Sequence, residues 1–174
     1  MAAYAQTTYN VDKAHAKVGF TITHLGFSEV DGSFKKFDAK VTTSKEDFSD
    51  AVFEFSADVK SVSTDNEMRD GHLQKPDMFD TEKFATLTFK STGISKVSDK
   101  NFKLTGNLTM KGVTKAVTLD LKVTGTTTDR GGKKVAGFKV TGTINRADFG
   151  VGGKGSMMIS EDVELRAIGE FKAG

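Results

Sequence analysis

The chain contains no cysteine and no tryptophan, a single proline in 174 residues, no long apolar run and no block of charge of one sign. Without cysteine there can be no disulfide, thiolate metal ligand or cysteine nucleophile, and either a reducing or an oxidising compartment fits. No stretch approaches the roughly 18 apolar residues of a membrane-crossing helix, and no signal-peptide apolar region is present. The 25 basic and 23 acidic side chains are interspersed and leave a net charge of +2. No nucleic-acid partner is therefore expected. What the chain does have is 14 Phe, 18 Gly and many Val and Thr, a composition for strands and tight turns. With no Pro/Ser-rich linker and no internal repeat, residues 1–174 read as one all-β domain.

One stretch, Thr64 to Asp80, departs from the alternation that surrounds it. Thr64 and Glu67 have the spacing of a capping box, and Pro76 disfavours helix at Lys75, so a short helix is predicted from Thr64 to about Leu73 or Gln74. About ten residues are too few for a stable isolated helix. Met68, Leu73, Met78 and Phe79 are the apolar groups expected to dock it. Elsewhere apolar side chains recur at every second position. They place Phe20, Ile22 and Phe34 on an inner face, then Phe55, Phe89, Leu104 and Leu108, then Leu119 and Phe138. Tyr9 and Val11 suggest a separate short first strand. The parity switches between Phe34 and Phe37, which predicts a bulge near Lys35 or Lys36. Eight or nine strands joined by short loops make an antiparallel meander that could fold over as a sandwich or close into a barrel, and the barrel is expected because closure removes exposed edges that few prolines protect. At eight strands a barrel interior is either filled or holds one small ligand.

The motifs that resemble chemical sites each have a plainer reading. Gly150 to Gly155 matches G-x-G-x-x-G, but it leads into Met157, Met158 and a strand rather than a helix, so a flexible loop is expected instead of a nucleotide site. His15, His24 and His72 could supply three metal ligands. However, His24 shares the parity of Phe20 and Ile22 whereas His15 faces the other way, so no metal site is predicted. Arg69-Asp70 beside His72 is read as a surface or helix-anchoring group rather than as an acid–base cluster. Ala3-Tyr4-Ala5 before Gln6 resembles the end of a cleaved secretory signal, so a periplasmic or secreted location is expected, with a cytoplasmic one as the alternative.

Four motifs in order carry a resemblance that runs from about Tyr9 to Phe171. They are Asp12-x-x-His15 with His24-x-Gly26-x-Ser28-x-Val30-x-Gly32-x-Phe34; Asn66-x-x-Arg69-Asp70-x-His72-Leu73 continuing to Phe79-Asp80; Leu108-Thr109-x-x-Gly112-Val113-Thr114-Lys115; and Ile144-Asn145-Arg146-x-Asp148-Phe149-Gly150. Together they resemble the YceI-like family of bacterial lipocalin-like proteins that bind polyisoprenoid lipids. The chain departs from that pattern at Ala16, Met78, Ala85 and Ala116. The resemblance implies an extended eight-stranded antiparallel barrel, often dimeric, whose long apolar pore holds a polyprenyl chain or quinone tail, with no catalysis and no cofactor beyond that lipid. Transient contact with a membrane or membrane protein would accompany such a role. On this reading the inner-face residues named above bind the ligand together with His24, Met68, His72 and Phe79. Two other readings stay open: a barrel enzyme acting on an apolar substrate with His24 or His72 as general base, and an interaction domain with a filled core.

Overall fold

A computed structural model describes residues 4–174, so Ala3 of the expected signal remnant lies outside the described residues. More than half of those residues lie in ten strands: β1 Thr7–His24, β2 Ser28–Phe34, β3 Phe37–Thr43, β4 Val52–Asp58, β5 Val62–Ser63, β6 Thr86–Lys96, β7 Asn101–Met110, β8 Val113–Thr128, β9 Lys134–Asn145 and β10 Ile159–Ala173. Every pairing is antiparallel, and β10 returns to pair with β1. Eight strands therefore form a closed ring, β1-β10-β9-β8-β7-β6-β4-β3, to which β2 and β5 are additions. One helix, α1 Glu67–Leu73, and two short 3-10 turns complete the described chain.

The ring forms because each strand carries its apolar residues at alternate positions and can bury one face only by curving around the others. In β7, Phe102, Leu104, Gly106, Leu108 and Met110 are buried while the residues that alternate with them are not. Tight turns with positive φ at Lys111 and Gly112 reverse the chain between β7 and β8.

Strand direction assigns the connections to two ends of the barrel. The β1–β2 turn, the segment containing α1, the β7–β8 turn and the β9–β10 loop share one end, and hydrogen bonds tie them together. Leu25 N–H donates to Met158 O at 2.8 Å, and Gly152 N–H donates to Asp77 O at 3.0 Å. Lys111 Nζ donates to Pro76 O and Gly150 O at 2.7 and 2.8 Å.

The opposite end is closed by an aromatic plug. Phe48 is buried, 5.6 Å from the Tyr9 ring and 5.0 Å edge-on from Phe138, and Phe138 in turn meets Phe53 and Phe171. Phe48 has φ 61°, which for a bulky side chain costs on the order of 1–3 kcal/mol. Burying its ring returns about 1.5–3 kcal/mol. The loop is held in this shape by Asp50, which accepts from Thr43 Oγ1 at 2.6 Å and from Ser44 and Lys45 N–H. Burial works to raise the Asp50 pKa, but these hydrogen bonds outweigh it and hold the carboxyl below its ordinary value.

Four expectations are corrected. The first strand is not separate, because β1 runs unbroken from Thr7 to His24 and absorbs its change of parity in a bulge at Asp12 to His15. Lys35 and Lys36 form a break between two strands rather than a bulge within one, since the chain leaves β1 there to bond Ser61. Thr64 is not the helix cap. Asp65 turns the chain through φ 58°, and Asn66 accepts from Arg69 N–H at 3.0 Å to start the helix at Glu67. Met68 does not dock the helix but is exposed to 87%. The helix meets the interior through Arg69, His72 and Leu73. Met68 lies roughly a quarter turn from the centre of that face, in the first turn, where side chains lean toward the helix N-terminus.

Candidate functional site: an apolar cavity in the barrel

The ring encloses a cavity of about 580 Å³. Its floor is the Phe53, Phe138 and Phe171 cluster above the Phe48 plug. Its far wall is made by Leu87 and Phe89 of β6, Leu104 and Leu108 of β7, and Leu119 of β8, all buried. Phe20 and Ile22 of β1 and Phe55 of β4 line the near wall and are only half-buried. Phe34 joins this wall to the upper end through ring contacts with Phe20 at 5.8 Å and Phe79 at 6.2 Å. Inward glycines make room for the larger rings. A Cβ at Gly106 would lie 2.5 Å from Phe89 Cζ, and one at Gly32 would lie 2.2 Å from Phe20 Cζ.

Polar groups gather at the helix end. His24 closes β1 there, opposite Arg69 and His72 of α1, and all three line the cavity. Arg69 is anchored through Thr64: its Nε donates to Thr64 Oγ1 at 2.7 Å and its Nη2 donates to Thr64 O at 2.8 Å. Asp70 accepts from the N–H and hydroxyl of the same buried threonine at 2.7 and 2.6 Å. Arg69 and Asp70 thus anchor the helix, as their residue types suggested. His72 Nε2 lies 3.0 Å from Asp77 Oδ2, and this contact holds the Asp77 carboxyl below its ordinary pKa. Arg146 also reaches the cavity, although it is 4% exposed and faces no carboxylate at ion-pair distance among the described residues. It donates to Ser160 O, Val151 O and Gly153 O at 2.9, 2.8 and 3.1 Å, so the glycine-rich loop is wrapped around a guanidinium. Those glycines follow a 3-10 turn and do not open a helix.

Twelve of the expected lining residues therefore meet in one cavity: Phe20, Ile22, His24, Phe34, Phe55, His72, Phe79, Phe89, Leu104, Leu108, Leu119 and Phe138. Met68 does not. Leu73 and Met78 line it as well. Further lining comes from Leu87, which shares the parity of Phe89, from Val140 and Ile144, which share that of Phe138, and from Leu165 of β10. Arg146 belongs to a motif the sequence displayed, but nothing in the sequence indicated that the chain would fold over it. The three histidines do not converge: His15 lies on the outer bulge, hydrogen-bonded to Asp12 at 3.1 Å, where Glu170 also approaches.

A family model described as a YceI-like domain matches residues 9–171. A UPF0312 protein of Staphylococcus aureus is 36% identical over 171 residues, covering 95% of this chain and 97% of that protein. The crystal structure of a Campylobacter jejuni YCEI protein superposes with a TM-score of 0.76 at 32% identity, covering 99% of this chain and 98% of that one. A polyisoprenoid binding domain from Saccharophagus degradans, implicated in plant cell wall breakdown, shares the fold with a TM-score of 0.67 at 15% identity, covering 95% and 98% of the two chains.

Proposed function

The chain belongs to the YceI-like domain family, and from that premise we propose that it binds a long apolar lipid, of polyisoprenoid type, in the barrel cavity for storage or transport. The observation that carries this reading is the cavity itself: a continuous interior lined mostly by apolar side chains, chiefly Phe, Leu, Ile and Val, floored at one end and polar at the other. An apolar chain laid along it gains roughly 25 cal/mol for each Å² removed from water, with few directional contacts. The head group then rests at the helix end beside His24, Arg69 and His72. The polyisoprenoid-binding domain of the same fold supports the ligand class. The rim at that end carries Phe27, Met68 and Met157, exposed to 81%, 87% and 93%, which suits transient contact with a lipid surface. A periplasmic or secreted setting belongs to the same reading.

The test is the affinity of prenyl alcohols of increasing length for the wild type and for Phe89→Asp, with circular dichroism confirming that the variant is folded. Affinity is expected to rise with length until the cavity is filled, and to fall on burying an unpaired carboxylate in the far wall. Equal affinity for short and long chains, or for the wild type and a folded variant, would overturn the proposal.

A further inference from the structure

The barrel ring is closed on paper but not along its whole height. β3 pairs with β1 only from Thr43↔Thr7 to Lys40↔Asn10, and β2 takes up the same edge of β1 only from Gly19↔Ser33 onward. Between these ladders, β1 from Val11 to Val18 has no partner on that side, and Phe37 to Ala39 of β3 face it without pairing. The cavity reaches this seam: Ala16 and Val18 on one edge and Phe37 and Ala39 on the other line it, and all four are half-buried.

Some backbone N–H groups beside the gap are satisfied by nearby side chains. Ala39 N–H donates to Asp38 Oδ1 at 2.9 Å, and Ala14 N–H donates to Asp12 Oδ1 at 3.1 Å. Lys36 N–H donates to Ser61 Oγ at 2.9 Å. On its other side β1 bulges from Asp12 to His15 opposite the single residue Glu170, which carries it away from β3. Side-chain acceptors at Asp12 and Asp38 lessen the tendency of this edge to recruit another strand. One side-chain link crosses the seam, the ion pair Lys13 Nζ–Asp38 Oδ2 at 3.7 Å, with both side chains more than 60% exposed. Such a pair is weak and salt-screened.

We propose that the seam between β1 and β3 is a side port through which the apolar chain enters and leaves the cavity, with Lys13 and Asp38 as its latch. This rests on the lipid-binding reading above. It adds the route, which the capped and polar helix end need not provide. A port acts on rates and not on affinity, because it is crossed both on entry and on exit and contributes nothing to the bound state.

The absence of cysteine makes the test site-specific. Lys13→Cys and Asp38→Cys, introduced together, are bridged with a bis-maleimide, and exchange of a fluorescent geranylgeraniol derivative is followed by stopped flow. Bridging is expected to slow association and dissociation alike by about tenfold or more while the dissociation constant stays within about twofold. Asp38→Lys, which sets two cations face to face, is expected to exchange faster than wild type. Bridged protein exchanging as fast as its unbridged parent would overturn the port. So would slowing caused only by a bulky maleimide on Ser156→Cys at the helix end. A wild type that takes up no probe would overturn the lipid-binding reading, and the port with it.

Discussion

Asp12 shows at the scale of one residue how the fold changes a side chain's chemistry. Its carboxyl is pulled down to about 2, first by the hydrogen bond from Lys172 and then by that from His15, against the opposing effect of burial. The same ion pair, 2.9 Å long, raises Lys172 above its ordinary value. Because the native value lies below the roughly 3.9 of an unfolded aspartate, the charged carboxylate favours the folded state above that pH. The contribution is lost as the pH falls from about 4 toward 2. The Asp12 carboxyl carbon is therefore expected to titrate by NMR with a midpoint near 2, and Lys172→Met is expected to raise that midpoint. An ordinary midpoint in the wild type would show that the bulge is not held this way. The resemblance had drawn attention to Asp12 and His15, but their role as the tie of a bulge depends on Lys172, which lies 160 residues away in the chain.

At the scale of elements, α1 is the piece whose stability depends least on its own sequence. It has seven residues, none of them buried, and an isolated helix of that length does not persist in water. It stays because Asn66 caps it and because Thr64 is gripped by Arg69 and Asp70. Asn66→Ala is expected to cost about 0.5–2 kcal/mol. Thr64→Val, which leaves two charged partners without the hydroxyl, should cost about 1–3 kcal/mol. Urea midpoints at constant m-value would measure both, and no change in either would mean that the helix is held by something else. The capping-box pattern identified a helix but misplaced its start, since Thr64 is taken up by Arg69 and Asp70 and a left-handed Asp65 intervenes. Alternation in the strands was more reliable, because burial on one face forces it whatever the neighbours are. The seam, in contrast, leaves no mark in the alternation: Ala16, Val18, Phe37 and Ala39 read as ordinary inward positions.

For the whole molecule, a ligand held inside a closed ring couples binding to the stability of every strand. At a free lipid concentration 100-fold above its dissociation constant, linkage supplies about 2.7 kcal/mol. For a chain of this size that is a rise in melting temperature of about 5–10 °C. Calorimetry with and without a prenyl lipid should show the rise growing with chain length, and an unchanged transition at saturating lipid would place binding outside the fold.

The one-dimensional pattern was enough to determine antiparallel strands, one short helix and the inward face of most strands, because a period of two is a local property that survives any arrangement of the strands. It placed nine of the lining residues, among them Phe20, Phe89 and Phe138, for the same reason. Three things were decided only in three dimensions. Phe48 became a plug because its loop was pinned under the barrel by Asp50, Arg146 became the core of a loop because the chain after it turned its carbonyls back onto the guanidinium, and β1 parted from β3 because a bulge on one edge and a strand break on the other fell at the same height. Each depends on how the chain folds back on itself, and alternation within a strand carries no record of that.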